Sequence, residues 1–333
     1  MDDSRRKFLK TAAASGTLVA VPAMPAAAKN IPTEQITDRF KRLPGDKAFK
    51  ILVPDAKGNN DFIAQLDSNR TLFVASAIKT FVLCEALRQA DSPEVTEILE
   101  ERELALDSTV WSFGSPTFTP PDVTGIVSER TAMEAMITRS DNTATDMMFK
   151  VAGSDNVRKF IASAGLQRTL VPDSTRAFTG YLFGAPDYRN LTWEQVVELV
   201  SGPVVHPLLN DVQTLASSAD DFVSYYSRAL QGEFFRHPET LNEFRRVLTL
   251  CDFIYLVPLP LGVSAYAKSG NADMPGFHAR SIAGGLFTGD QWIYFAFIIN
   301  WYAQSGDDPG TVAKFFSAIN ESLSLVVSSR SKG

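Results

Sequence analysis

Between Leu72 and Cys84 the chain is apolar at every position except Ser76, Lys79 and Thr80. The run is too long for an ordinary strand and holds no Gly or Pro, so it reads as a helix. A helix that is apolar on every side belongs inside a protein, with other elements packed around it. That makes the lysine a problem. A buried ammonium is costly unless it is paired, or unless its pKa falls until it is neutral. Lys79 lies one turn after Ser76 on the same face. A neutral amine there can take the serine's proton, which is how a weak nucleophile becomes competent.

The rest of the pattern outlines the fold. Thr33 to Arg42 reads as a helix. Ala48 to Val53 and Phe62 to Asp67 read as strands joined by the turn-rich DAKGNN. From Val74 to about Leu250 the pattern is mostly helical. Ser128 to Arg139 and Thr143 to Val151 are clear helices, and Thr192 to Gln195 is a capping box heading a helix to Val200. GEFFRHPETLNEFRRVLTL adds a further helix. Gly165 to Leu191 has no strong period and reads as a long loop, a length that is more often functional than idle. Ala265 to Lys268, His278 to Phe287 and Trp292 to Tyr302 are strand-like, and Asp308 to Val327 closes the chain as an amphipathic helix. The expected class is α/β of the α+β kind. An antiparallel sheet built from both termini (residues 29–70 and 260–333) is flanked by helices, a mostly helical lobe (71–259) is inserted into it, and the active site lies between them.

Residues 1–28 stand apart. Ser4-Arg5-Arg6-Lys7-Phe8-Leu9-Lys10 is a twin-arginine signal, followed by an Ala-rich stretch and a small-residue cleavage site at Ala26-Ala27-Ala28. The expectation is export to the periplasm by the twin-arginine machinery, with no stable membrane anchor. The leader holds four of the 32 basic and two of the 38 acidic residues, leaving 28 and 36, a net charge of about −8. That balance argues against a nucleic-acid partner. Cys84 and Cys251 read as two buried small hydrophobes rather than a disulfide. His206, His237 and His278 lack ligand spacing, so neither a metal nor a cofactor is expected. A monomer is expected.

Three short motifs come with internal controls. Ser-x-x-Lys begins at Ser4, Ser76 and Ser329, but only Ser76 opens an apolar helix. Ser-Asp-Asn begins at Ser140 and Ser154; the second fits a helix cap, whereas the first joins two helices and can project a hydroxyl and an amide into a cleft. Lys268-Ser269-Gly270 lies on a late strand and means little alone. The order Ser76…Ser140…Lys268 is what carries weight. With EAMITRSDNTATDMMFKVAGSDNVRKFIASAGL and AYAKSGN, it resembles the serine β-lactamase and penicillin-binding protein superfamily, class A in particular, across most of residues 45 to 325.

The resemblance implies roles for single residues. Ser76 is the acyl-accepting nucleophile and Lys79 activates it. Ser140 relays a proton to the leaving nitrogen, and Asn142 binds the substrate amide and Lys79. Lys268 holds Ser140 and attracts a substrate carboxylate, which Ser269 also binds. Gly270 completes that strand motif, and the backbone N–H groups of Ser76 and Asn271 form an oxyanion hole. Lys268 is expected to keep Lys79 neutral by repelling its proton. Arg280 is either a further carboxylate anchor or an ordinary strand arginine. The implied substrate is a small β-lactam or an acyl-D-amino-acid-like molecule. One part of the family pattern is absent. The glutamate that activates the deacylating water should fall near Thr175, yet Leu170 to Asp187 holds no glutamate, only Asp173 and Asp187. Two accounts fit. Asp173, Tyr181 or Lys79 handles deacylation, or water attack is slow and the protein behaves as a peptidase, an esterase or a covalent binder.

Overall fold

The structure, a computed structural model, describes residues 33–55, 60–252, 263–274, 276–304, 306 and 308–330. The expected export leader, residues 1–28, and the tip of the DAKGNN turn lie outside them. In chain order the helices are α1 (Thr33–Lys41), α2 (Lys79–Gln89), α3 (Val95–Glu101), α4 (Glu129–Thr138), α5 (Asn142–Ala152), α6 (Ser154–Ser163), α7 (Thr175–Leu182), α8 (Trp193–Leu199), α9 (Ala219–Ala229), α10 (Pro238–Thr249) and α11 (Pro309–Arg330). The strands are β1 (Asp46–Val53), β2 (Phe62–Leu66), β3 (Leu72–Phe73), β4 (Glu103–Leu106), β5 (Gly125–Ser128), β6 (Ala216–Ser217), β7 (Ser264–Met274), β8 (Phe277–Phe287) and β9 (Trp292–Trp301).

The expected architecture is present. Five strands form one antiparallel sheet in the order β2-β1-β9-β8-β7, so the two ends of the chain meet at β1 and β9. Strand β9 shows why the sheet is covered on both faces. Its sequence WIYFAFIINW is buried at all but its first residue, the continuous apolar run of a strand with no solvent face. Phe295, Phe297 and Ile299 point one way and join Ile36 and Phe40 of α1 and Phe315 and Ile319 of α11. Tyr294, Ala296 and Ile298 point the other way, into the core built on Phe222, Tyr225 and Tyr226 of α9. Among the described residues no helix is long and apolar enough to cross a membrane.

As its composition demands, α2 is the central helix of the helical lobe, packed by α4, α5, α6 and α10. The apolar run is nevertheless not one helix. Leu72 and Phe73 pair with Ser217 and Ala216 as a short strand, and a 3₁₀ turn at Ala75–Ile78 intervenes before α2. The break lies at Ala75, whose φ of +49° is incompatible with a continuing helix. A second difference is α7, inside the stretch that reads as loop. Ser174 caps it by accepting the Ala177 N–H, a start signal that is present in the sequence. Gly180 in its middle weakens the helical pattern and lies close against its neighbours: a Cβ there would lie 2.5 Å from Leu191 Cδ1 and 3.1 Å from the Tyr188 carbonyl oxygen. Cys84 and Cys251 are buried and unpaired.

Candidate active site

From Leu72 to Leu87 every residue is buried except Ser76. The strained Ala75 backbone and the 3₁₀ turn present this one hydroxyl, which has no hydrogen-bond partner among the described residues. Edge strand β7 closes on the turn from the side. Gly270 permits this approach, because a Cβ there would lie 2.1 Å from the Val74 carbonyl oxygen and 2.8 Å from the Ala77 nitrogen. The Ser281 hydroxyl of β8 donates to the same Val74 carbonyl at 2.7 Å, tying sheet to turn. The glycine that carries little information as part of Lys-Ser-Gly is thus the residue that lets β7 lie against the turn that carries Ser76.

Ser140 is the second strained residue, with φ +57° at the junction of α4 and α5. Left-handed backbone in a non-glycine residue costs on the order of 1–3 kcal/mol and persists only where its surroundings hold it. Asp141 supplies the hold. Its carboxylate accepts the Ala144 N–H that opens α5 and the N–H groups of Thr117 and Phe118, each at 2.8 Å. The Asn142 side-chain amide donates to the Phe113 carbonyl at 2.6 Å and its oxygen accepts from Lys79 Nζ at 2.7 Å. Gly114 makes room for it, since a Cβ there would sit 2.8 Å from Asn142 Nδ2.

Both lysines are fully buried among neutral oxygens. Lys79 Nζ is within hydrogen-bond distance of the Ser140 carbonyl, of Ser140 Oγ at 3.3 Å and of Asn142 Oδ1, and a neutral amine donates to two of the three. Lys268 Nζ donates to Ser140 Oγ at 3.1 Å and to the Ser269 carbonyl at 3.0 Å. The Ser140 hydroxyl therefore sits between two amines. Among the described residues no carboxylate forms an ion pair with either. Burial is the larger cause that drives the Lys79 pKa far below its ordinary value; repulsion from Lys268 is second, and Asp141 and Asp146 oppose both. The sequence pattern points to both causes, burial in an apolar helix and the charge of Lys268. The Lys268 pKa is also lowered, again by burial first.

The remaining predicted residues divide. Ser269 is buried beside Lys268, with Cys251 Sγ 3.9 Å from its hydroxyl. Asn271 is exposed on the same strand, opposite Arg280 in the β7–β8 register. Arg280 itself is occupied: its guanidinium donates to both oxygens of Asp273, at 3.0 and 2.6 Å, and to the Ala272 and Ala279 carbonyls. Of the two readings, this geometry fits the strand arginine. The second Ser-Asp-Asn is inert and is not a side-chain cap. Gly153 occupies the N-cap of α6, with no side-chain bond.

The long segment offers no free carboxylate. Asp173 receives Arg158, Arg189 Nε at 2.7 Å and Gln213 Nε2 at 2.8 Å. Burial raises the Asp173 pKa, but hydrogen bonds from Arg158 and Arg189 outweigh it and hold the group below its usual value. Asp187 holds Asn190. Tyr181 is stacked on His206 at 4.4 Å. Sequence reasoning missed Asp146 on α5. It accepts the N–H groups of Thr175 and Arg176 at 2.6 and 3.0 Å and the Thr175 hydroxyl at 2.7 Å. The signal that would have found it is the one that found Lys79, a charge inside an apolar helix. Among the described residues no cluster of His, Cys, Asp or Glu could hold a metal ion.

This arrangement can deprotonate one half-buried hydroxyl, deliver a proton through a second and attract an anionic ligand to a buried ammonium. Comparisons with known proteins give a family and a fold. The model of the "Beta-lactamase enzyme family" matches residues 32–298. No curated protein matches the sequence. Among solved structures, the extended-spectrum beta-lactamase TLA-1 aligns with TM-score 0.64 at 16% identity over 89% of this chain and 98% of its own. A beta-lactamase from Sphaerobacter thermophilus aligns with TM-score 0.63 at 16% identity over 87% and 94%. A PBP-A mutant in an acyl-enzyme complex with penicillin G aligns with TM-score 0.61 at 16% identity over 89% and 96%. At these identities the structural likeness establishes the fold.

Proposed function

Because the chain belongs to the beta-lactamase enzyme family, as a serine β-lactamase-like hydrolase, we propose that it opens β-lactams by forming an acyl-enzyme on Ser76. The observation that carries this reading is a half-buried serine hydroxyl, the one break in a buried run, one turn from an amine that no carboxylate among the described residues pairs with. Lys79, neutral, takes the Ser76 proton as Oγ attacks the lactam carbonyl carbon. The C–N bond of the tetrahedral adduct then breaks. Its nitrogen takes the Ser140 proton, and Lys79 returns a proton to Ser140 across their 3.3 Å contact. Lys268 and Ser269 hold the substrate carboxylate, the free Asn142 amide hydrogen meets the acyl side chain, and the N–H groups of Ser76 and Asn271 receive the oxyanion. Each such donor is worth about 3 kcal/mol.

A second reading, slow release of the acyl group, is favoured by one feature: Asp173, the carboxylate the loop offers, is engaged by two arginines. Intact-mass measurement after mixing with penicillin G separates the readings. A transient adduct of Ser76 with accumulating product supports hydrolysis, a lasting adduct supports a penicillin-binding role, and no adduct with D-Ala peptide or ester cleavage supports a peptidase or esterase. Ser76→Ala is expected to abolish every covalent species. An adduct on that variant places the nucleophile elsewhere. The Ser4–Lys10 twin-arginine pattern supports export with cleavage near Ala28, which N-terminal sequencing of periplasmic protein tests.

A further inference from the structure

Two carboxylates, Asp141 at the N-cap of α5 and Asp146 within it, lie close enough to Lys79 to act on its charge. They are held differently. Asp141 accepts backbone N–H groups, whose protons do not transfer. Asp146 also accepts an O–H, from Thr175 at 2.7 Å. That hydroxyl is in turn 2.8 Å from Ser112 Oγ and 3.3 Å from the Asn142 carbonyl oxygen, and the Asn142 side chain holds Lys79 at 2.7 Å. A carboxylate, a hydroxyl and the nucleophile's activating residue are thus separated by a single residue. Asp146 forms no ion pair among the described residues, and burial lifts its carboxyl to about 6. It also lines a cleft of about 280 Å³ with Lys150, Asp173, Ser174, Arg176 and Arg189, which gives its proton a route to solvent.

We propose that the Thr175 hydroxyl, backed by the Asp146 carboxylate, accepts the proton when water releases the acyl group from Ser76. The inference rests on the acyl-enzyme reading above. As the water oxygen bonds to the ester carbon, one water O–H breaks and its proton passes to Thr175 Oγ1. The Thr175 proton moves to Asp146 Oδ1. The tetrahedral adduct expels Ser76 Oγ, which takes the proton of the new carboxylic acid by way of neutral Lys79, and Asp146 returns its proton to solvent through the cleft. Thr175 is the catalytic group and Asp146 acts through it. The charged groups facing Asp146 are Lys79 on α2, Arg176 on α7, Asp141 and Lys150 on α5, and Asp173 and Arg189 across the cleft.

The test loads the protein fully with penicillin G, removes free drug and follows decay of the adduct mass from pH 5 to 9. Because decay is read after loading, acylation does not enter. The wild-type decay constant is expected to fall below about pH 6, where the carboxylate is protonated. Asp146→Asn should slow decay about 100-fold, within the range for a general base, and remove that pH limb. Thr175→Val should slow it similarly, and Thr175→Ser should restore it. A Ser76 adduct whose decay ignores both Asp146→Asn and Thr175→Val overturns the relay alone. So does Thr175→Ser failing to rescue, which would make the role one of packing. A flat wild-type profile between pH 5 and 7 overturns it without any variant. No adduct on the wild-type protein overturns the acyl-enzyme reading and the relay with it.

Discussion

The junction around Ser140 and the segment from Gly165 to Leu191 both hold charge in the interior, and they treat it in opposite ways. At the junction two lysine amino groups are surrounded by serine, asparagine and carbonyl oxygens. In the segment, Asp173 is clamped between two guanidinium groups. A charge paired with its opposite is stabilised in its charged form and becomes part of the scaffold. A charge left among neutral acceptors has its pKa moved by burial and becomes available for proton transfer. Backbone strain follows the same division. Among the described residues, Ala75 and Ser140 are two of the three non-glycine residues with positive φ; the first precedes Ser76 and the second is bonded to Lys79 and Lys268. In the segment only Gly165 and Gly184 have positive φ.

The largest test of this contrast is Lys79→Ala. Removing the base should lower the acylation rate by about 10²–10⁴, measured as the burst of penicillin consumption under single-turnover conditions. In the wild-type protein that rate should rise with pH, because the neutral amine is the active form. Stability has its own sign. A lysine whose folded-state pKa is depressed gives its full stability above the unfolded value of about 10.4 and loses it as pH falls through the folded value. At neutral pH the buried amine therefore costs stability. If Lys79→Ala acylates at the wild-type rate, an unpaired buried amine is not the mark of chemistry.

Asp146 lies between the two regions and shares the junction's treatment of charge, which yields the next largest effect. A carboxyl raised above its unfolded value supplies stability at pH below about 4 that is lost as pH rises through about 6. At ~1.4 kcal/mol for each pH unit of that gap, its ionisation costs about 3 kcal/mol at pH 8. Asp146→Asn, which mimics the protonated acid, should be more stable than wild type by about that much at pH 8 in urea unfolding. The difference should vanish near pH 4. A gain in stability with a loss in acyl release is the behaviour expected of a residue retained for function. Destabilisation at pH 8 would instead place Asp146 with Asp173, in the scaffold.

The same contrast explains what was legible in the sequence. Helices and strands with a clean period were visible because their burial is regular: β9 is apolar throughout, and α11 carries an apolar face. Lys79 was visible because it contradicts its surroundings, as does Asp146 in TATDMM once that rule is applied twice. Contacts set by backbone approach were not visible. Gly270 against Val74 and Gly114 against Asn142 depend on how distant segments meet, and no local pattern encodes that. The break at Ala75 was hidden for a related reason: its left-handed conformation is imposed by the β3–β6 pairing and the Val74-to-Leu215 hydrogen bond, not by alanine. The ion pairs of Asp173 reach back to Arg158 and forward to Arg189, and its hydrogen bond forward to Gln213, so a carboxylate that reads as a free base in the loop is already occupied.

That occupancy yields the smallest expected effect and the sharpest control. Asp173→Asn keeps the side chain's shape and its bond to Gln213 but removes the charge that two arginines share. Each partner is partly solvated, with side-chain exposures of 36% and 59% against 24% for Asp173, so most of the attraction is screened and the loss should be about 1 kcal/mol. Because the folded-state pKa is held low, this contribution is present above about pH 4 and disappears as pH falls through the folded value, so variant and wild type should converge in acid. Decay of the penicillin adduct should not change. If Asp173→Asn slows that decay while leaving stability within a few tenths of a kcal/mol, then a doubly paired carboxylate takes part in proton transfer, and ion pairing no longer separates scaffold from chemistry in this protein.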